Sequence, residues 1–170
     1  MTMGRCAPSR APPTLANHTR PDLDCLYTMV DTPLVLEHSI EADVSPTFAW
    51  KFRTDITTWS DPPATFQLDG PFAEGVRGLT LMPRQEPLAW WIRDVRQGRS
   101  FAIEMPLDQA TLRFEWHLGA LSERRTKLTH RVILAGQNME TYRKQVEAGF
   151  GANLAAGLEK IAHSMVAAEK

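Results

Sequence analysis

The stretch Ala110–Gly136, ATLRFEWHLGALSERRTKLTHRVILAG, decides the fold class. Leu112, Phe114, Trp116 and Leu118 fall on one parity, and Thr111, Arg113, Glu115 and His117 on the other. Beyond the residues around Ala120 to Arg124, Thr126, Leu128, His130 and Val132 continue the first set, while Lys127, Thr129 and Arg131 continue the second. A period of two marks a strand buried on one side, because successive side chains point to opposite faces. Two such runs joined by a short link make an antiparallel hairpin with one apolar and one solvated face.

Register follows from requiring apolar faces to meet, since a slip of one residue turns every side chain over. Leu118 is then expected opposite Thr126, Trp116 opposite Leu128, Phe114 opposite His130 and Leu112 opposite Val132. A turn at Pro106 to Gln109 sets Met105 against Ala110, Ile103 against Leu112 and Phe101 against Phe114. A tight turn at Gln97-Gly98 sets Asp94 against Phe101, Ile92 against Ile103 and Trp90 against Met105. One at Pro83 to Glu86 sets Leu81 against Leu88, Leu79 against Trp90, Arg77 against Ile92 and Gly75 against Asp94. Leu34 to Ala42 alternates likewise, with His38 on its apolar side.

Helices flank these strands. Ser45-Pro46 is a helix start, supplying a side-chain oxygen for free amides and a proline where no N–H is missed. Phe48, Phe52, Ile56 and Trp59 then repeat at helical spacing until Pro62 and Pro63 stop them. After a cap at Asn138, the residues Met139, Tyr142, Val146, Phe150, Leu154, Leu158, Ile161 and Met165 form one stripe of a long C-terminal helix. The class is α+β: a curved antiparallel sheet of about seven strands, two short helices after the first strand, and a long helix gripped on the concave side.

Composition sets the outer bounds. The 170 residues are 43% hydrophobic and 23% charged, a globular balance for one domain. A net charge of -1 lacks the basic footprint of a nucleic-acid binder, and no apolar run reaches the ~20 residues of a membrane span. Cys6 and Cys25 have neither CxxC nor metal-ligand spacing, which fits a reduced, cytoplasmic protein. Residues 1–28, with Pro8, Pro12, Pro13 and Pro21 and no periodicity, read as a disordered extension, and 33–170 as the folded domain. A start at Met29 would account for the extension as well as a function would.

Three stretches resemble a known family: SPTFAWKFRTDITTW from Ser45, LDGPFAEGVRGLTL from Leu68 to Leu81, and RRTKLTHRVILAG from Arg124 to Gly136. Together they look like the START/Bet v 1 superfamily (SRPBCC), in its bacterial polyketide cyclase/dehydrase-like branch. The resemblance implies a helix-grip fold with a cavity between sheet and C-terminal helix that holds a small hydrophobic or aromatic molecule, lipid-like or polyketide-like. It implies a carrier or sensor, or alternatively a cyclase or dehydratase using an inward His or Asp as general acid/base. None of the three stretches is a catalytic signature.

Trp90, Ile92, Phe101, Phe114 and Trp116 fall on the inward face and are the expected walls, unless they simply fill a solid core. Arg77, Asp94, His38 and His130 are the inward polar residues, each needing a partner or a wet cavity. Arg77 and Asp94 would pair, either orienting a polar ligand head or tying two strands. His130, His38 and Asp94 are the catalytic candidates, the imidazoles because their ordinary pKa lies near 6.5. Asp94 lies roughly 14 Å from His130 along a flat sheet, so no metal site is expected. No cofactor is called for, and the expected partner is a small hydrophobic ligand, with no nucleic acid and no membrane span, for a monomer or homodimer. The glycines of GPFAEG let that loop fold over the cavity entrance, and Gly149, Gly151 and Gly157 mark either close helix–sheet approach or a bend in the helix. Deleting residues 1–28 should leave the melting temperature unchanged, and a large fall on thermal denaturation would reveal a docked element.

Overall fold

A computed structural model describes residues 32–170. The expected extension 1–28, with both cysteines and Met29, lies outside the described residues. Seven strands form one antiparallel sheet: β1 Leu34–Ala42, β2 Thr65–Leu68, β3 Arg77–Leu81, β4 Leu88–Arg96, β5 Ser100–Leu107, β6 Ala110–Ser122 and β7 Arg125–Ala135. Their order is β1-β7-β6-β5-β4-β3-β2, so β1 leaves its chain neighbours to pair with β7. Helix α1, Pro46–Thr54, follows β1, and a single 3-10 turn at Ile56–Thr58 follows it. Ser45 caps α1 as expected, its Oγ accepting from the Phe48 amide at 3.3 Å. No helix among the described residues is long and apolar enough to cross a membrane.

The C-terminal helix is broken into α2 Met139–Val146, a π turn at Glu147–Gly151 and α3 Asn153–Ala168. The apolar stripe explains why. From Tyr142 to Leu158 it advances by four consecutive steps of four residues, and at about 100° per residue those sixteen residues would put its ends roughly 160° apart on a straight helix. The extra residue of a π turn takes back roughly 100°, which returns both halves to one apolar face. A Cβ at Gly149, Gly151 or Gly157 would meet nothing within 4 Å, so close approach is not what these glycines serve. Glu169 closes the far end, its carboxylate accepting from the Ser45 amide and hydroxyl at 3.0 and 2.6 Å.

The strand faces of β5, β6 and β7 are as expected, but their pairing is shifted by two residues. Trp116 lies opposite His130, Phe114 opposite Val132 and Leu112 opposite Leu134. Phe101 lies opposite Trp116 and Ile103 opposite Phe114. The cause is the turns: β5 and β6 join through Asp108-Gln109 alone, with Gln109 at φ 51, and β6 runs on to Ser122 past an irregularity. The Ile92–Ile103 pair stands as expected.

Between β3 and β4 the shift is one residue, and it turns β3 over. Arg77 pairs with Trp91, and Gly78 with Trp90. Gly78 and Thr80 therefore face the core, and Arg77, Leu79 and Leu81 face outward. Trp90 requires this register. Its ring lies where a Gly78 Cβ would stand, 2.2 Å away, and its Nε1 donates to Thr80 Oγ1 at 3.1 Å. The expected Arg77–Ile92 and Gly75–Asp94 pairings thereby fail.

The core has two lobes. One gathers Trp50, Trp90, Ile92, Phe101, Trp116, Leu118, Leu128, Leu158 and Met165 beneath α1 and α3. The other gathers Ala110, Leu112, Val132, Leu134, Met139, Val146 and Leu154 beneath α2. Gly78→Ala should destabilise by about 1 to 3 kcal/mol because Trp90 must move, whereas Gly119→Ala, whose added carbon would sit 3.8 Å from Lys127, should cost little. Urea denaturation of the two variants checks the β3 register.

Candidate ligand-binding site

The expected site residues separate into three groups. Trp90, Ile92 and Phe101 are packed solid rather than lining an open chamber. Trp50 and Phe72 meet Phe101 edge-on at ring distances of 6.0 and 4.9 Å, and Trp59 stacks on Trp90 at 5.9 Å. Phe72 brings with it the GPFAEG loop, which packs over this solid end of the sheet rather than over the gap at Phe114. The Glu74 carboxylate accepts from the Val95 amide at 3.0 Å, and the Gly75 amide donates to the Ile92 carbonyl at 2.8 Å.

Arg77 and Asp94 form the second group, and both face away from the core. Arg77, on the inverted strand, meets Asp69 at 3.5 Å and is exposed. Asp94 sits in a bulge of β4 with φ 51, which rotates its carboxylate to the outer face and onto Arg113. The inward Arg77–Asp94 pair therefore does not exist, and Asp94 is removed from any interior chemistry. Arg113 also bonds Glu104 and Glu115, and Arg131 links Glu115 to Glu37, so the outer face carries a continuous ionic mesh.

Phe114, Trp116, His130 and His38 do come together. His38 and His130 lie directly opposite each other on β1 and β7, and Trp116 flanks His130 on β6. The His130 ring stacks on Trp116 at 4.1 Å and 16°. Phe114, Met105, His130, His38 and Leu36 all point inward yet are only half-buried, while Ile103, Leu112, Leu128, Val132 and Leu134 around them are buried. The inward face is thus unsealed along this row, between the two lobes of the core. Phe150, on the π turn, meets Phe114 edge-on at 5.3 Å and borders the same gap. Two open grooves, of about 470 and about 590 Å³, lie elsewhere: one beside Arg96 and His117, the other between Ala42 and Ala162.

One residue in this region escapes sequence reasoning altogether. Helix α1 buries Ala49, Trp50 and Arg53, leaving the expected face of Phe48 and Phe52 half-buried. Arg53 is 6% exposed, with its guanidinium carbon 4.0 Å from the Trp116 ring centre and 5.3 Å from that of Trp59. Trp59 is held in place by donating Nε1 to the Arg53 carbonyl at 3.1 Å. Among the described residues no carboxylate pairs with Arg53, and its buried Nε has no acceptor. Contact with an aromatic face returns about 2 kcal/mol when desolvated, whereas taking an ion out of water costs several, so the rings alone do not compensate this charge. Its spacing was readable, at three and four residues from Trp50 and Ala49, but a hydrophobic-pattern reading scores arginine as solvent-facing.

Electrostatics follow from that burial. Desolvation lowers the Arg53 guanidinium to about 9, which leaves it cationic at neutral pH. Burial, and after it the Arg53 charge, push the His130 imidazole down to about 3, so it is neutral there. Its buried Nε2 also lacks a partner among the described residues. The site therefore joins a fixed cation, a neutral imidazole and aromatic surface. Among the described residues, no cluster of His, Cys, Asp and Glu could hold a metal ion.

No protein-family model matches the chain, and no curated protein matches it in sequence. Solved structures do match in shape. Norcoclaurine synthase from Thalictrum flavum, in complex with dopamine and hydroxybenzaldehyde, is 13% identical with a TM-score of 0.62, over 94% of this chain and 99% of that one. The Zhui aromatase/cyclase from Streptomyces sp. R1128 is 16% identical with a TM-score of 0.61, over 79% and 94%. A protein from Thermobifida fusca, solved by NMR, is 16% identical with a TM-score of 0.62, over 77% and 92%. With its seven-stranded sheet closed by a C-terminal helix, the chain shares the helix-grip, Bet v 1-like fold of these structures.

Proposed function

We propose that the chain binds a small hydrophobic or aromatic molecule between the sheet and the C-terminal helix, as a carrier or sensor. The observation that carries this reading is the unsealed inward row of Phe114, Met105 and His130 facing Phe150 on the π turn. A half-buried phenylalanine on a central strand, beneath a break in the covering helix, supplies apolar surface where a ligand can displace little protein. Norcoclaurine synthase, with the same fold, is seen with small aromatic molecules, which supports the ligand class.

Catalysis by an inward His or Asp has less support. Asp94 faces outward, and an imidazole lowered to about 3 is neutral at pH 7, unable to serve as an acid and feeble as a base. His38 and His130 suit ligand contact better than proton transfer. The proposal is tested with N-phenyl-1-naphthylamine, whose fluorescence should rise on binding. Leu36→Trp, placed on the inward row, should abolish the signal, while Val35→Trp on the opposite face should preserve it. No signal with the unaltered protein, or equal loss in both variants, would sink the reading.

The lowered His130 pKa also carries a sign. In the unfolded chain the imidazole titrates near 6.5 and in the folded one at about 3, so between these values the unfolded state holds more protons. The unaltered protein should therefore lose stability as pH falls from about 6.5 toward 3. His130→Phe lacks this contribution and should lose less over the same window. Urea midpoints at pH 7 and pH 4.5 measure the difference.

A further inference from the structure

Arg53 has no task in the fold that its surroundings reveal. It lies beneath α1 with its guanidinium over Trp116 and Trp59, is almost wholly buried, and has no anionic partner among the described residues. Stacking uses the face of a guanidinium and leaves its in-plane N–H edges available, and those edges match the two oxygens of a carboxylate. Trp116 is shared: Arg53 covers its ring, and His130 stacks against it. His130 in turn holds a buried Nε2 without a partner, so two orphaned polar groups meet at one aromatic platform beside the unsealed row.

We propose that this site selects apolar molecules bearing a single carboxylate, whose oxygens engage the Arg53 guanidinium beside His130 while the apolar body lies against Phe114 and Phe150. The inference rests on the reading of the chain as a hydrophobic-ligand binder and specifies the class of ligand. One negative charge is what one arginine and a neutral imidazole can compensate. A phosphate monoester, with close to two charges at neutral pH, would leave charge buried and unmatched, so the carboxylate is the better fit.

The experiment compares 2-naphthoate with 2-naphthamide, which share ring and size and differ in charge, by calorimetric titration at pH 7.5. The unaltered protein should bind the acid roughly ten-fold or more tightly than the amide, as a charge-assisted hydrogen bond implies. Arg53→Met should bring the two affinities together by weakening the acid alone. It should also raise the melting temperature, because a buried unpaired charge is replaced by an apolar chain of similar reach. A merely structural arginine would behave oppositely, destabilising the protein when removed. If the methionine variant fails to fold, the arginine is structural and the proposal falls. Equal affinities in the unaltered protein, or an acid preference that survives Arg53→Met, overturn it too, while leaving the hydrophobic-ligand reading intact if the amide binds. Binding of neither compound overturns the anion site, and N-phenyl-1-naphthylamine then decides separately whether the broader reading falls with it.

Discussion

A seven-stranded sheet is wider than the helix that must cover it. Six spacings at ~4.8 Å span roughly 29 Å, whereas a helix with its side chains is about 10 Å across. The remaining apolar face has to be met by something else. Here α1 with Trp59, the loop carrying Phe72 and most of α3 cover one lobe, and α2 with Leu154 covers the other. What these pieces leave between them is the row through Phe114 and His130. The ligand-binding region is thus where the coverage of a broad sheet runs out, and its aromatic lining follows from the same strand alternation that builds the core.

The two faces treat arginine in opposite ways. On the outside, Arg113 and Arg131 are each held between carboxylates on neighbouring strands, a mesh running from Glu37 across to Asp94. On the inside, Arg53 is confined by indole rings and has no acid among the described residues. Carboxylates are plentiful in this chain, yet they are spent on the surface mesh. Burial, and after it this interior cation kept free of carboxylates, depress His130, and the cation leaves a positive potential facing an apolar gap. Such a combination weakens the fold locally, and functional sites are where proteins tolerate that cost.

The architecture was legible because period two is hard to imitate: every strand from β4 to β7 shows it, and Ser45-Pro46 announces α1 without ambiguity. Register was less legible. The shift by two across β5 to β7 preserves every face, so the inward set survived, but β3 carries Leu79 and Leu81 on its outer side and misled an argument that assumed one apolar face. The bulge that turns Asp94 outward has no pattern of its own in the chain. Arg53 was hidden by its charge class rather than its position. Its spacing from Trp50 placed it on the buried side of α1.

The π turn adds a different kind of constraint. Connections in proteins usually tolerate gain or loss of a residue, because a loop absorbs the change before it reaches the next element. Glu147–Gly151 is exposed and glycine-rich, and so looks like such a place. Yet it is the π geometry, by absorbing one supernumerary residue, that keeps Leu154, Leu158 and Met165 in phase with Met139 and Val146. Deleting that one residue would leave an ordinary helix with both halves still aligned, whereas a further inserted residue would swing α3 by about 100° about its axis, carrying its apolar side off β1. At this point the chain can lose a residue but not gain one, an asymmetry in permitted length set by helix phase, while within the segment Phe150 is held by its contact with Phe114.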